Sequence, residues 1–259
     1  MPELVTRREG AVGWIVFSNP ARHNAVTYEM LRALPDAVSQ FERSAQVRLI
    51  ALAGEGGSFV SGADISEFGA TRSSQYAAAS YGQVLEAAYG AFDAATKPTL
   101  AKIRGACIGV GLSLALCSDL RIAAQDALFS HPAARFGMGV SYASVSRLVG
   151  LVGASQAAEL IFTSRKYSAP EALQMRLVTR VVEGAELDRE FAAYCGDIAA
   201  GSPLTLAAAK RSIAATLQDP AARDVKALAA LINACNSSED YREGLVAFRE
   251  KRAPNFKGR

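Results

Sequence analysis

GEGGSFVSGADI, residues 54–65, and GACIGVGLSLAL, residues 105–116, decide how this chain is read. An apolar, strand-like run precedes each of them, over residues 47–53 and 98–103, and each leads into a segment able to begin a helix. The first turn of a helix has no intrahelical acceptors for its backbone N–H groups, so a strand-glycine-helix junction leaves donors aimed outward. Two such junctions brought together make a pocket for a negatively charged oxygen.

Working outward, residues 11–17 read as a strand that Asn19-Pro20 ends. Thr27 is placed to cap a helix whose apolar positions Met30, Leu31, Leu34, Val38 and Phe41 recur at helical spacing, with Pro35 expected to kink or split it. An alanine-rich helix is expected over residues 73–95, and further strands over 120–124 and 178–182. Strands alternating with helices indicate an α/β chain with largely parallel pairing. Three helices, over 204–217, 221–234 and 241–249, fill the C-terminal part, with Ser237 or Ser238 capping the last. The division expected is a core of residues 1–198 and a helical region of 199–259, the latter too thin to hold a core of its own.

The chain has 259 residues, half of them hydrophobic and 20% charged, and a net charge of +3. That balance is too mild to argue for nucleic acid or a membrane as partner. Cys107, Cys117, Cys195 and Cys235 are scattered without a CxxC pair or metal-ligand spacing, so reduced and mostly buried thiols are expected. The N-terminal MPELVTRREG lacks the apolar stretch of a signal peptide, and no uninterrupted apolar run approaches 18 residues. A soluble, cytoplasmic protein is the expectation.

GEGGSFVSGADISEF, followed by KPTLAKIRGACIGVGLSLALCSDLRIAA, resembles the crotonase (enoyl-CoA hydratase/isomerase) superfamily. PARHNAV near the start, RLVGLVGASQAAELIFTSRKYSAPEALQMRLVTRVV and the ending SEDYREGLVAFREKRAPNFKGR extend the resemblance over nearly the whole chain. It implies a spiral of ββα units, a C-terminal helical region used in trimerisation, and an acyl-CoA thioester as substrate. Coenzyme A would enter as part of that substrate, with no other cofactor and no metal. The partners implied are the thioester and further copies of the chain, as a homotrimer or a dimer of trimers. The resemblance also implies an oxyanion hole from two backbone N–H groups, falling here on Ala63 and Val110. Fixed N–H dipoles of that kind stabilise the negative charge that builds on a thioester carbonyl during enolate chemistry. Asp64, Ile65 and Ser66, with Ala63, fall where the family meets the CoA adenine, and Lys257 where it places a lysine near the CoA phosphates of an adjoining subunit.

The departures bear on the reaction. Hydratases of the family carry two glutamates, and Ser113 and Ala133 hold those places here. Neither is a carboxylate base, and a positioned acid or base usually contributes roughly 100- to 10,000-fold, so enoyl-CoA hydration is expected to be weak. His131, two residues before Ala133, has the pKa range for acid/base work, and a packing histidine is the plainer reading. Tyr142, in GMGVSYASVSR, matches a tyrosine that some decarboxylating members use, and a half-buried ring with its hydroxyl in water is the plainer reading. Those members also carry a histidine where this chain has Ala63, and the chain's ending is close to that of bacterial methylmalonyl-CoA decarboxylases. Ser113 can hydrogen-bond a water or the substrate, or bond back to its own helix.

Two other patterns in the chain compete with this reading. Gly105-x3-Gly109-x-Gly111 fits the glycine pattern of short-chain dehydrogenases, but no Tyr-x3-Lys follows it, since Ser146 stands at that spacing from Tyr142. A non-catalytic acyl-CoA- or RNA-binding relative is favoured by the missing glutamates and opposed by the near-neutral charge. Among catalytic readings, a methylmalonyl-CoA decarboxylase-like enzyme or another non-hydratase lyase or isomerase remains beside the general one.

Overall fold

The computed structural model describes residues 1–71 and 75–259, with the side chains of residues 70–78 left aside. In chain order the elements are β1 (Glu3–Glu9), β2 (Val12–Ser18), α1 (Tyr28–Arg43), β3 (Leu49–Gly54), α2 (Phe68–Thr71), α3 (Gln75–Ala94), β4 (Thr99–Ile103), β5 (Ala106–Ile108) and α4 (Val110–Leu116). There follow β6 (Leu120–Ala124), β7 (Leu128–Ser130), α5 (Tyr142–Thr163), β8 (Tyr167–Ser168), α6 (Ala169–Gln174), β9 (Arg180–Val182), α7 (Leu187–Ala200), α8 (Pro203–Thr216), α9 (Val225–Ser237) and α10 (Glu239–Glu250). This is the α/β architecture expected, with its helical C-terminal region.

The larger sheet has the order β1-β2-β3-β4-β6-β9 and is parallel except for the β1–β2 hairpin. Side chains alternate across a strand, so β3 serves two cores at once. Ile50 and Leu52 join the cluster that contains Met30, Leu34 and Phe41 of α1 and Phe92 of α3, whereas Leu49, Ala51 and Ala53 pack with Trp14 and with Leu187 and Phe191 of α7. A second sheet, β5-β7-β8, is made of strands of two or three residues.

Most elements fall where the sequence puts them. Thr27 caps α1 by accepting from the Met30 N–H, and Ser238 caps α10 by accepting from the Tyr241 N–H. Pro35 neither splits nor ends α1, which runs unbroken from residue 28 to 43. A proline inside a helix costs about 3 kcal/mol or more, and the burial of six apolar residues on that helix offsets it. Of the alanine-rich segment expected from residue 73, Ser73 and Ser74 lie outside the described residues, and α3 begins at Gln75.

No uninterrupted apolar run approaches 18 residues, and the most apolar long helix, α5, carries Arg147, Gln156 and Glu159 within it. By length and mean hydropathy alone α5 would pass for a membrane-crossing helix. Its continuity is interrupted at Gly153, where φ of 79° and ψ of 164° are non-helical. Neither half then reaches the roughly 20 residues that a spanning helix needs.

The two glycine-rich stretches are tied side by side. Phe59 N–H donates to Arg104 O, Val60 N–H to Ala106 O, and Ile108 N–H to Val60 O, at 2.7 to 2.9 Å. The approach is so close at Gly111 that a Cβ there would lie 2.2 Å from the Val60 carbonyl oxygen. Gly109, which precedes α4, has φ of 56° and ψ of −116°, a conformation open to glycine and strained for side chains. These two glycines set the first turn of α4 against the end of the other loop.

Candidate active site

A cavity of about 270 Å³ opens between these loops and α3, α4 and α5. Ala63 and Val110 both line it. Ala63 pairs as a parallel bridge with Val26, but the bonds of that bridge are made by its neighbours: Val26 N–H donates to Gly62 O and Asp64 N–H to Val26 O, both at 2.8 Å. Val110 is the first residue of α4, where an N–H has no intrahelical acceptor. Neither N–H has an acceptor among the described residues.

Most of the wall is apolar, with Ile65, Phe68, Leu85, Phe136, Met138 and Val140 around the two loops. Among the described lining residues there is no carboxylate, and only Tyr89 and His131 are titratable. Ser113 and Ala133, read as standing in the glutamate places, both line the cavity and are both buried.

His131 also lines it, positioned just before the short turn of 3-10 helix Pro132–Phe136. Burial lowers its pKa below the ordinary value, so its imidazole is neutral at pH 7. Its Nδ1 is buried without a hydrogen-bond partner among the described residues.

Tyr142 stands elsewhere. Ser141 accepts from the Ser144 N–H and starts α5, so residues 141 and 144 face the cavity while Tyr142, 86% exposed, points outward and is not among its lining residues. Instead of a loop residue over the acyl group, the structure has the first residue of a helix. Lys257 is likewise exposed and away from the cavity; its backbone N–H donates to Asp240 at 2.6 Å, and the preceding carbonyl, of Phe256, accepts from Arg48.

Of the stretch expected to meet CoA, Ala63 and the exposed Ile65 line the cavity mouth. Asp64 is buried and turned inward, accepting from the Ser66 N–H and hydroxyl and from the Arg22 guanidinium. Burial opposes its ionisation, but those bonds and the Arg22 charge win and hold its carboxyl below the usual range. Asp64 therefore shapes the turn beside the site.

The tyrosine that does enter the cavity is one the sequence reading passed over. Tyr89, on α3, is 3% exposed and lines the cavity together with Ser113 on α4 and Ser144 on α5. Burial raises its pKa far above the ordinary phenol value, more than the two serines lower it, so it stays protonated. The signal was present as Tyr81, Leu85 and Tyr89 at i, i+4 and i+8, one face of a helix.

A second cavity, of about 380 Å³, lies on the α7 side of the larger sheet and is lined by Arg7, Trp14, Lys102, Arg104, Glu55 and Asp188 among others. Its cations are engaged already, Lys102 with Asp188 at 2.8 Å, Arg7 with Glu9, and Arg104 with the Gly184 carbonyl. No group of three or more His, Cys, Asp or Glu suited to a metal occurs among the described residues.

The profile of the enoyl-CoA hydratase/isomerase family matches residues 7–259. A probable enoyl-CoA hydratase of Bacillus subtilis is 35% identical over 250 residues, 95% of each chain. The crotonyl-CoA hydratase of Syntrophomonas wolfei is 30% identical, over 98% of this chain and 97% of the other. In three dimensions the chain is similar to an enoyl-CoA hydratase/carnithine racemase from Magnetospirillum magneticum, with a TM-score of 0.94, 34% identity, and coverage of 98% of this chain and 95% of that one.

Proposed function

Because the chain belongs to the enoyl-CoA hydratase/isomerase family, we propose that it is an acyl-CoA-processing enzyme that stabilises a thioester enolate between the N–H groups of Ala63 and Val110. The observation that carries this is the pair of unpaired backbone donors lining one cavity. Two donors fixed in an apolar surround interact with a developing oxyanion without reorganising, and loss of one such donor typically costs on the order of 100- to 1,000-fold in rate. The CoA moiety would leave the cavity past Ala63, Ile65 and Ser66, with Asp64 holding the turn; Lys257, exposed near the C-terminus, would reach CoA phosphates only across a subunit boundary.

The reaction favoured is not hydration. Relatives are named hydratases, but Ser113 and Ala133 leave the cavity without a carboxylate among its described lining residues. Neutral His131 is the base available there. A decarboxylase-like or other non-hydratase lyase or isomerase reaction, which needs an oxyanion hole and a proton donor but no pair of carboxylates, fits this set of groups best.

Self-association belongs to the same reading. Ile213, Leu217, Leu231 and Ile232 are exposed, and α9 buries none of its residues. Apolar faces of that extent favour a homotrimer or a dimer of trimers.

The test is a pair of assays on one preparation. Exchange of the α-protons of an acyl-CoA with solvent deuterium should be accelerated, while crotonyl-CoA hydration should run far below ordinary enzymatic turnover, about 10 per second. Ser113→Glu combined with Ala133→Glu should raise hydration. Ready hydration by the unmodified chain would refute the reading of those two positions, and absence of α-exchange would refute the enolate.

A further inference from the structure

We propose that Arg121 is a positioning residue for the oxyanion hole, one that holds the far end of α4 in place and sets a buried positive charge behind the developing enolate. The proposal rests on the enolate reading above and deepens it. Val110, at one end of α4, supplies one of the two donors, and Arg121 meets the other end. Its Nη1 donates to the Ser118 carbonyl at 2.5 Å and reaches that of Ala115 at 3.5 Å, and its Nη2 reaches the Asp119 carbonyl at 3.5 Å. Its Nε donates to the Leu177 carbonyl, between α6 and β9, at 2.8 Å. The residue itself sits on β6, which pairs with β4 on one side and β9 on the other. A slide of α4 along its axis would therefore break bonds at a side chain that the central sheet holds still.

Carbonyls at a helix end need donors, and a neutral amide or hydroxyl supplies donors at a smaller cost of desolvation than a charge does. Capping therefore leaves the charge of Arg121 unexplained. The residue is 4% exposed, and burial lowers its pKa only to about 10, so it is protonated at pH 7. Its hydrogen bonds all go to carbonyls, and no carboxylate forms an ion pair with it among the described residues. Asp119 turns its side chain instead to Lys210 at 2.9 Å and to the N–H and hydroxyl of Thr99 at 2.7 and 3.0 Å. Cys107 and Cys117 feel the guanidinium too, but burial pushes both thiols up, that of Cys117 to about 12, and they stay neutral. One positive charge is left over at this end of α4.

The distance decides how much that charge can do. The seven residues of α4 span about 10 Å, and a hydrogen bond at each end adds about 3 Å, which puts the guanidinium roughly 15 Å from the place where the oxyanion forms. Six of those seven residues are buried, so the path between runs through protein and not water. At an effective dielectric constant of about 20, a unit charge at that distance favours a full negative charge by about 5- to 10-fold. A neutral thioester has no such charge, so the gain falls on the enolate and shows in kcat, not in binding. The cavity adds no opposing anion, since its described lining has no carboxylate.

The experiment sets charge against structure by making two substitutions that should act in opposite directions. Arg121→Gln keeps a donor and removes the charge; exchange of the α-protons of butyryl-CoA should slow about 5- to 10-fold in kcat with KM unchanged. Asp119→Asn removes the partner of Lys210 and leaves a second positive charge at the same end of α4, so exchange should speed up, by about 2- to 5-fold because this side chain is 38% exposed and its charge is partly screened. The infrared stretch of the 13C-labelled thioester carbonyl in bound butyryl-CoA should move with the rates, towards the free value in Arg121→Gln and away from it in Asp119→Asn. Melting curves report folding; should Arg121→Gln unfold, Lys210→Met, which frees Asp119 to cancel the charge of Arg121, takes its place with the same expected fall. A role in structure alone predicts that both substitutions slow the reaction or leave it alone. Wild-type exchange in the folded Arg121 or Lys210 variant, or an Asp119→Asn chain no faster than the wild type, therefore overturns the proposal. Absence of exchange by the unmodified chain overturns the enolate reading and this proposal with it.

Discussion

Gly111→Ala tests whether the separation of the two loops sets the reactivity of the site. A Cβ at residue 111 would stand 2.2 Å from the carbonyl oxygen of Val60 and 2.8 Å from its Cβ, against a closest approach of 3.0 Å for real Cβ atoms. The obstacle is backbone, so no rotamer relieves it. The loop segment at Val60 must retreat from α4, and the same retreat carries Ala63 away from Val110. A displacement on the order of 1 Å lies outside the 2.7–3.1 Å window in which oxyanion donors work, and misplacement of that size costs about 100-fold in rate. Overpacking should also lower stability by about 1–3 kcal/mol. The assay is α-proton exchange of a saturated acyl-CoA by NMR, alongside a thermal melt. Gly90→Ala is the control, since its Cβ would meet nothing within 4 Å and alanine in place of glycine inside a helix stabilises by roughly 0.5–1 kcal/mol. Exchange by folded Gly111→Ala at the wild-type rate would refute the claim that the loop spacing positions the two donors.

Two further outcomes follow from buried charge. Arg121, 4% exposed on β6, gives its guanidinium to the Leu177 and Ser118 carbonyls at 2.8 and 2.5 Å, and burial lowers its pKa to about 10. Arg121→Met keeps the length and leaves those carbonyls unpaired beneath the C-terminal end of α4, for an expected loss of about 2–4 kcal/mol in denaturant unfolding; an unchanged midpoint would contradict it. His131 has a folded pKa below its unfolded value of 6.5, so the unfolded chain binds the proton first, and its contribution, intact above 6.5, is lost as pH falls from 6.5 towards the folded pKa. The drop in melting temperature between pH 7 and pH 5 should be smaller in His131→Gln than in the wild type, and equal slopes would show that His131 is not held neutral.

The parts legible in the sequence were those whose signal is local and repeated. The face of α1, the buried run of β3 and the serine and threonine caps each carry a spacing or a residue type that one physical preference decides. β1 escaped notice because ELVTRRE is an edge strand with one side in water, and charged residues on an edge blunt both its hydrophobic alternation and its tendency to pair further. The second sheet escaped because strands of two and three residues are too short to show any period. In the cavity, Ala63, Val110, Ser113 and His131 were found from the glycine stretches and the family resemblance. Tyr89 was not, because its importance comes from sharing the cavity with two serines on different helices, 24 and 55 positions further along the chain. No window along a single sequence contains that meeting.

Tyr142 shows the converse case, a side chain that stands outside the cavity its stretch borders. A tyrosine in a loop-like stretch rich in glycine and serine invited a catalytic reading, and the stretch does border the cavity through Met138, Gly139, Val140, Ser141 and Ser144. Which of these residues turns inward is decided by the cap: once the Ser141 side chain accepts from the Ser144 N–H, helical geometry begins, and residue 142 lies on the opposite side from 141 and 144. The phenol at the site thus comes from α3 and the hydroxyl beside it from α5. The two oxyanion-hole candidates belong to the backbone and survive side-chain change, so the character of the reaction is set by what surrounds them. Here the surround is a protonated phenol, serine hydroxyls and one neutral imidazole in place of two carboxylates. Such a set can donate to an oxygen or return a proton to an enolate, but it has no pair of charged bases with which to add water across a double bond.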